Sequence, residues 1–173
     1  AMGTVLHSRG ISFEASFDEL NLTHPELVAE IHREYIDAGA EIIETNTFGA
    51  NRYKLGAHGL EDKVAEINQS AVQLAKRVVQ ASSKEVLIAG SVGPLGVRLA
   101  PFGRVQPAQA FDAYQEQIDA LIAAGCHLLM IETQTDLFEV AEAVRAARSI
   151  GQFPIVATLT FTRDDRTLLG DTP

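Results

Sequence analysis

Tryptophan is absent from the 173 residues, tyrosine occurs three times and cysteine once. The single thiol, Cys126, excludes an internal disulfide, and a reducing cytoplasm is the compartment that this predicts. No apolar run approaches the roughly 20 residues that a membrane-crossing helix needs, so no membrane partner is expected. The first residues, Ala1-Met2-Gly3-Thr4, carry neither the basic nor the apolar region of a signal peptide. Clusters of basic residues are missing too. The 14 Lys and Arg are scattered against 23 Asp and Glu, for a net charge of −9, which repels a phosphate backbone and predicts no nucleic-acid partner.

What is present is an alternation of two patterns. Residues 23–39 read as a helix: Val28, Ile31, Tyr35 and Ile36 form an apolar stripe, Pro25 sits in the first turn, and Thr23 with Glu26 has the spacing of a capping box. Ala38-Gly39 ends it, and Ile42-Ile43 follow as a short buried strand. The unit returns as helix 61–81 with strand 86–89, helix 108–124 with strand 128–131, and helix 136–149 with strand 155–159. These strands are apolar without polar alternation, as in a parallel sheet covered by helices.

One stretch repeats. Ala38-Gly39 followed by Ile43-Glu44-Thr45-Asn46-Thr47 returns as Ala124-Gly125 followed by Ile131-Glu132-Thr133-Gln134-Thr135. Equivalent polar strand tips suggest a barrel, and the G-x-G-x-x-G turn of a dinucleotide-binding sheet is missing. The fold expected is α/β: a partial (β/α)8 TIM barrel, roughly its first half, in one domain over residues 1–173. A complete barrel runs to about 250 residues. The first strand would then precede Ala1, and the last three would follow Pro173.

Barrel active sites form at the C-terminal strand ends. The tips 44–51, 90–96, 132–136 and 160–165 should therefore share one mouth, with Glu44 and Glu132 pointing in the same sense. A carboxylate there suits an ammonium group or proton transfer. Thr45, Asn46 and Thr47 add hydroxyl and amide groups. The turn Gly90-Ser91-Val92-Gly93-Pro94 offers backbone N–H groups to a ligand, or is simply a tight loop. Strand-end Glu, Thr and Asn are also common terminators, and Asp136 can cap the helix that follows it. Cys126 reads as a core residue on the far side from the mouth. The histidines His7, His24, His32, His58 and His127 lack metal-ligand spacing and read as surface or structural. Two carboxylates at barrel tips also fit a glycoside hydrolase, although the shortage of aromatic rings counts against sugar stacking. A non-catalytic half-barrel module is a further alternative.

The string Glu44-Thr45-Asn46-Thr47-Phe48-Gly49-Ala50-Asn51-Arg52 is more specific. Together with Ala1-Met2-Gly3-Thr4, Asp18-Glu19-Leu20-Asn21, the Gly90–Pro94 turn and Ile131-Glu132-Thr133, it resembles the homocysteine S-methyltransferase family over essentially the whole chain. The resemblance implies a β/α barrel in which zinc on three cysteines binds the homocysteine sulfur, and transfer of a methyl group to that thiolate gives methionine. It implies that Glu132 holds the substrate ammonium, that Thr45, Asn46, Thr47 and Phe48 line the amino-acid pocket, and that Ser91 and Gly93 lie beside it. The resemblance leaves the methyl donor open among methylcobalamin, methyltetrahydrofolate, betaine and S-methylmethionine, with the first two named as candidates. Two elements of the pattern are missing: the zinc cysteines, none of which Cys126 matches, and an Asp-Gly directly before Ala1. No catalytic or metal-binding residue is thus expected within the chain. Homocysteine and the remainder of the barrel would be its partners, and the chain alone would be inactive.

Overall fold

The structure is a computed structural model that describes residues 2–170 and 172. Helices α1 (Met2–Ser8), α2 (Leu20–Thr23) and α3 (Pro25–Asp37) lead to strand β1 (Ile42–Glu44). A short α4 (Arg52–Gly56) and a 3-10 turn (Glu61–Lys63) precede α5 (Val64–Ser82) and β2 (Leu87–Val92). Then follow α6 (Pro107–Ala124), β3 (Leu128–Gln134), α7 (Leu137–Ile150) and β4 (Ile155–Leu159). All pairings are parallel, and the strand order is β1-β2-β3-β4. A doubly wound sheet reverses its order at a switch point. This sheet does not, so the α/β fold is a run of consecutive units of a β/α barrel.

Alternation along each strand separates two faces. Ile43, Ile88, Leu129 and Ile131 are buried in the apolar clusters that the helices share with the sheet. Burying each such side chain is worth about 1.5–3 kcal/mol. The register puts the alternate residues on the inner face: Ile42 and Glu44, Leu87, Ala89 and Ser91, Leu128, Met130 and Glu132. Its lower part is open, with Ile42 45%, Leu87 48% and Val156 42% exposed. Among the described residues, β1 and β4 each pair along one edge only.

Three local expectations change. Thr23 does not cap α3: it ends α2, where its hydroxyl donates to Glu19 O, and His24 occupies the cap position without a side-chain bond to the helix N–H groups. The residues 90–92, expected in a turn, continue β2. Gly90 lies inside this strand because a Cβ there would stand 3.1 Å from Leu121 and 3.2 Å from both Leu129 and the Cys126 sulfur. Strand β3 also runs on past Ile131, to Gln134. Its pairing with β4 steps from Ile131↔Ala157 to Gln134↔Leu159, so β3 carries one extra residue there, and Thr133 takes a left-handed backbone with φ 57°. Helix α6 begins with a reciprocal cap between Gln106 and Gln109 that the sequence reading did not single out. Asp136, by contrast, caps α7 as expected, accepting from the backbone N–H groups of Phe138 and Glu139.

Candidate functional site

The tips of β1, β2 and β3, together with α1 and the loop before α2, enclose a cavity of about 920 Å³. Glu44, Phe48, Ser91 and Glu132 line it, as do Asp18 and His32. The fourth expected tip is not part of this lining. The 160–165 segment is exposed beyond β4 and outside the cavity, with Thr160 N donating to Gln134 O at the β3 tip at 2.7 Å.

Thr45 and Thr47, both buried, spend their hydroxyls on the protein. Thr47 Oγ1 donates to Ser91 O at 2.7 Å, and Ser91 N donates to Thr45 Oγ1 at 3.1 Å. The single proton of Thr47 is thereby used, so Thr45 is the donor in the 2.7 Å hydroxyl contact between the two. Asn46 Nδ2 donates to Phe17 O at 2.6 Å, and Asn46 O accepts from Asn21 Nδ2 at 2.7 Å. These residues line the cavity as expected, but the groups just named hold the wall together.

Behind the wall, Gln117 on α6 donates to Thr47 O at 2.8 Å, and Asn68 on α5 donates to Ala50 O at 2.8 Å. Asn51 caps α4 by accepting from Tyr53 N and Lys54 N. A second buried group joins the sheet mouth to the helices: Glu139 Oε1 accepts from Tyr114 at 2.7 Å and from Leu95 N at 2.6 Å.

Ser91 Oγ donates to Glu132 Oε1 at 2.7 Å. Glu44, from β1, reaches the same place, and the two carboxyl groups are within hydrogen-bonding reach of each other. Barrel interiors are layered from alternate strands, and at the level of the two glutamates the intervening β2 presents the small Ala89 and Ser91. Although Glu44 keeps part of its surface open, burial of its carboxyl and then the neighbouring Glu132 push its pKa up to about 7. The shared orientation inferred from the repeat is thus present. A carboxyl pair close enough to hydrogen-bond lacks the separation of about 5 Å or more that glycosidases use, which counts against the hydrolase alternative.

Elsewhere in the lining, Asp18 Oδ1 accepts from Gly49 N at 2.9 Å, and the Lys54 ammonium lies 4.4 Å from the centre of the Phe48 ring. Burial pushes Asp18 up to about 6, against the pull of the Gly49 N–H and Lys54; burial lowers Lys54. Gly93 fits only as glycine, since a Cβ would meet Phe48 O at 2.5 Å. His32 is 2% exposed, its Nε2 has no partner, and burial lowers its pKa to about 4, so the ring stays neutral. In the sequence Asp18 belongs only to a motif, and Lys54 and His32 carry no site signal. Asp18 reaches Gly49 across 31 residues, a distance over which local spacing says nothing.

Cys126 lies before β3, at the opposite end of the strand from the cavity. Burial raises its thiol to about 11, which disfavours the thiolate a metal needs. Among the described residues no three His, Cys, Asp or Glu side chains gather as a metal site. The residues present do not fit a thiolate-held zinc.

A family model described as homocysteine S-methyltransferase matches residues 1–173. The chain is 32% identical to the methionine synthases of Mycobacterium tuberculosis and Mycobacterium leprae, each over 184 aligned positions and 98% of the chain. It spans about 15% of the length of these curated relatives. Among solved structures, the Escherichia coli homocysteine methyltransferase MmuM in its metallated form superimposes with a TM-score of 0.86 at 24% identity, covering 100% of this chain and 65% of that one. The apo form gives 0.78 at 25% identity, covering 100% and 62%. With every residue inside the family model and a third of them shared with methionine synthases, the chain belongs to the homocysteine S-methyltransferase family.

Proposed function

We propose that this chain supplies the amino-acid-holding part of a site that binds homocysteine for S-methylation to methionine. The observation that carries the reading is Glu132, whose carboxylate opens on the cavity while Ser91 fixes one of its oxygens. A substrate ammonium placed there gains charge-assisted hydrogen bonds in a partly desolvated setting. Phe48 gives the apolar wall against which a short thioalkyl chain packs, and Lys54 and Gly93 hold that ring in place.

In the family, zinc makes the sulfur available as a thiolate. That chemistry has no ligands among these residues, so in this reading it comes from the remainder of the barrel, as does recognition of methylcobalamin or methyltetrahydrofolate as donor. Among the described residues no helix is long and apolar enough to cross a membrane. A cytoplasmic site of action completes the proposal.

The test is calorimetric titration of the chain with L-homocysteine under reducing conditions. Glu132→Gln is expected to weaken binding by tenfold or more, about 1.4 kcal/mol. Equal affinity of the variant and the parent would overturn the assignment. Purified alone with a methyl donor, the chain is expected to form no methionine and to hold no stoichiometric zinc. With inner-face residues such as Leu87 open, it is expected to self-associate.

A further inference from the structure

We propose that Glu44 and Glu132 form a one-proton carboxyl pair that reads the charge on the substrate's α-amino group, an incoming ammonium taking the place of the shared proton. The inference rests on the homocysteine reading above and extends it from Glu132 to Glu44.

Two carboxylates in contact repel, and the contact becomes cohesive when one proton lies between them. Ser91 already donates to Glu132 Oε1, which marks Glu132 as the acceptor and leaves the proton on the Glu44 side. The upward shift of Glu44 to about 7 agrees with that placement.

No described cation neutralises the pair: neither glutamate takes part in an ion pair among the described residues. The titratable groups around the cavity are His32 and Tyr35 from α3, Asp18 ahead of α2, Lys54 on α4 and His58 just beyond it. Lys54 is engaged with the Phe48 ring and the field of Asp18, and His32 stays neutral. An ammonium has three N–H donors and can satisfy both carboxylates at once.

The exchange balances simply. The singly protonated pair carries one negative charge; when the ammonium binds, the pair becomes doubly negative and its proton passes to solvent. Affinity for an amino-acid thiol should thus rise with pH through the upper ionisation of the pair. A thiol acid without the amino group, 4-mercaptobutyrate, should release no proton and show no such rise.

Two measurements on the full chain test this. In the ligand-free protein, carbon-13 NMR of the glutamate side-chain carboxyls should show Glu44 titrating near 7. Glu132→Gln should bring the Glu44 step down towards the ordinary carboxylate range. Calorimetry with L-homocysteine at pH 6.5, in buffers of differing ionisation heat, should count about one proton released per ligand, and Glu44→Gln should abolish the release. If Glu44 titrates in the ordinary carboxylate range while homocysteine still binds, the shared proton is overturned and the substrate reading stands. If Glu44 titrates near 7 but homocysteine does not bind, the substrate reading fails, together with the ammonium exchange built on it.

Discussion

The Ser91 hydroxyl donates to Glu132 Oε1 across 2.7 Å while the Ser91 amide donates to Thr45 Oγ1 across 3.1 Å, so one residue of β2 positions the tips of both neighbouring strands. Ser91→Ala removes the first bond and keeps the second. A hydrogen bond to a charged group contributes about 1.5–3 kcal/mol, and partial exposure of Glu132 puts this one at the lower end. Homocysteine affinity is expected to fall about tenfold in calorimetry, with the circular dichroism spectrum unchanged.

Gly93→Ala is expected to cost about 2 kcal/mol or more. The new methyl group would meet Phe48 O at 2.5 Å and the Phe48 ring at 2.6 Å, and backbone atoms cannot swing aside as a side-chain end can. A urea unfolding curve would show a lower midpoint. A midpoint equal to that of the parent would mean that the Phe48 wall is not held in this position.

Tyr114→Phe is expected to cost about 1–3 kcal/mol near neutral pH. Glu139 is 4% exposed and would keep only the Leu95 N–H as a donor of the two it has now. The penalty falls on the ionised carboxylate, so it should shrink as pH drops and Glu139 takes up a proton. Thermal melts of both proteins between pH 7 and 4 would reveal a narrowing gap.

Glu44→Gln should stabilise the fold at alkaline pH. Glu44 has its pKa raised to about 7 in the folded state from an ordinary value of 4.5, chiefly by burial and then by Glu132. Between those values the folded chain binds more protons than the unfolded one, so wild-type stability falls as pH rises through this window. Glutamine carries no such charge. The difference in Tm, variant minus wild type, should grow from pH 4.5 to 7 and then level off; a flat difference would deny the shift.

Much of this architecture was legible in the sequence because the signals are local. The apolar run of β4 sits between Pro154 and a polar tip, and its bounds came out as Ile155–Leu159. Asp136 caps α7 because a short carboxylate directly before a helix has its N–H groups within reach. The repeat correctly paired Glu44 with Glu132, since inward or outward sense follows from alternation. Where contacts are distant, the reading stopped short. Gly90 looked like a turn residue, yet it is a strand residue made small by the approach of Leu121 and Leu129. The extra residue at Thr133 is defined only against β4. The threonine hydroxyls, read as ligand contacts, turned out to bond the protein to itself.

The grip of Gln117 and Asn68 on the backbone behind the β1 tip has a consequence for binding cost. Ordering a free loop around a ligand costs about 1–2 kcal/mol per residue in lost backbone freedom. Thr47 O and Ala50 O are already tied to two long helices, so that entropy is lost when the chain folds and not when the substrate arrives. The wall is preorganised from the outer shell, and amide exchange along residues 47–50 should follow unfolding of α5 and α6 instead of an independent opening of the mouth.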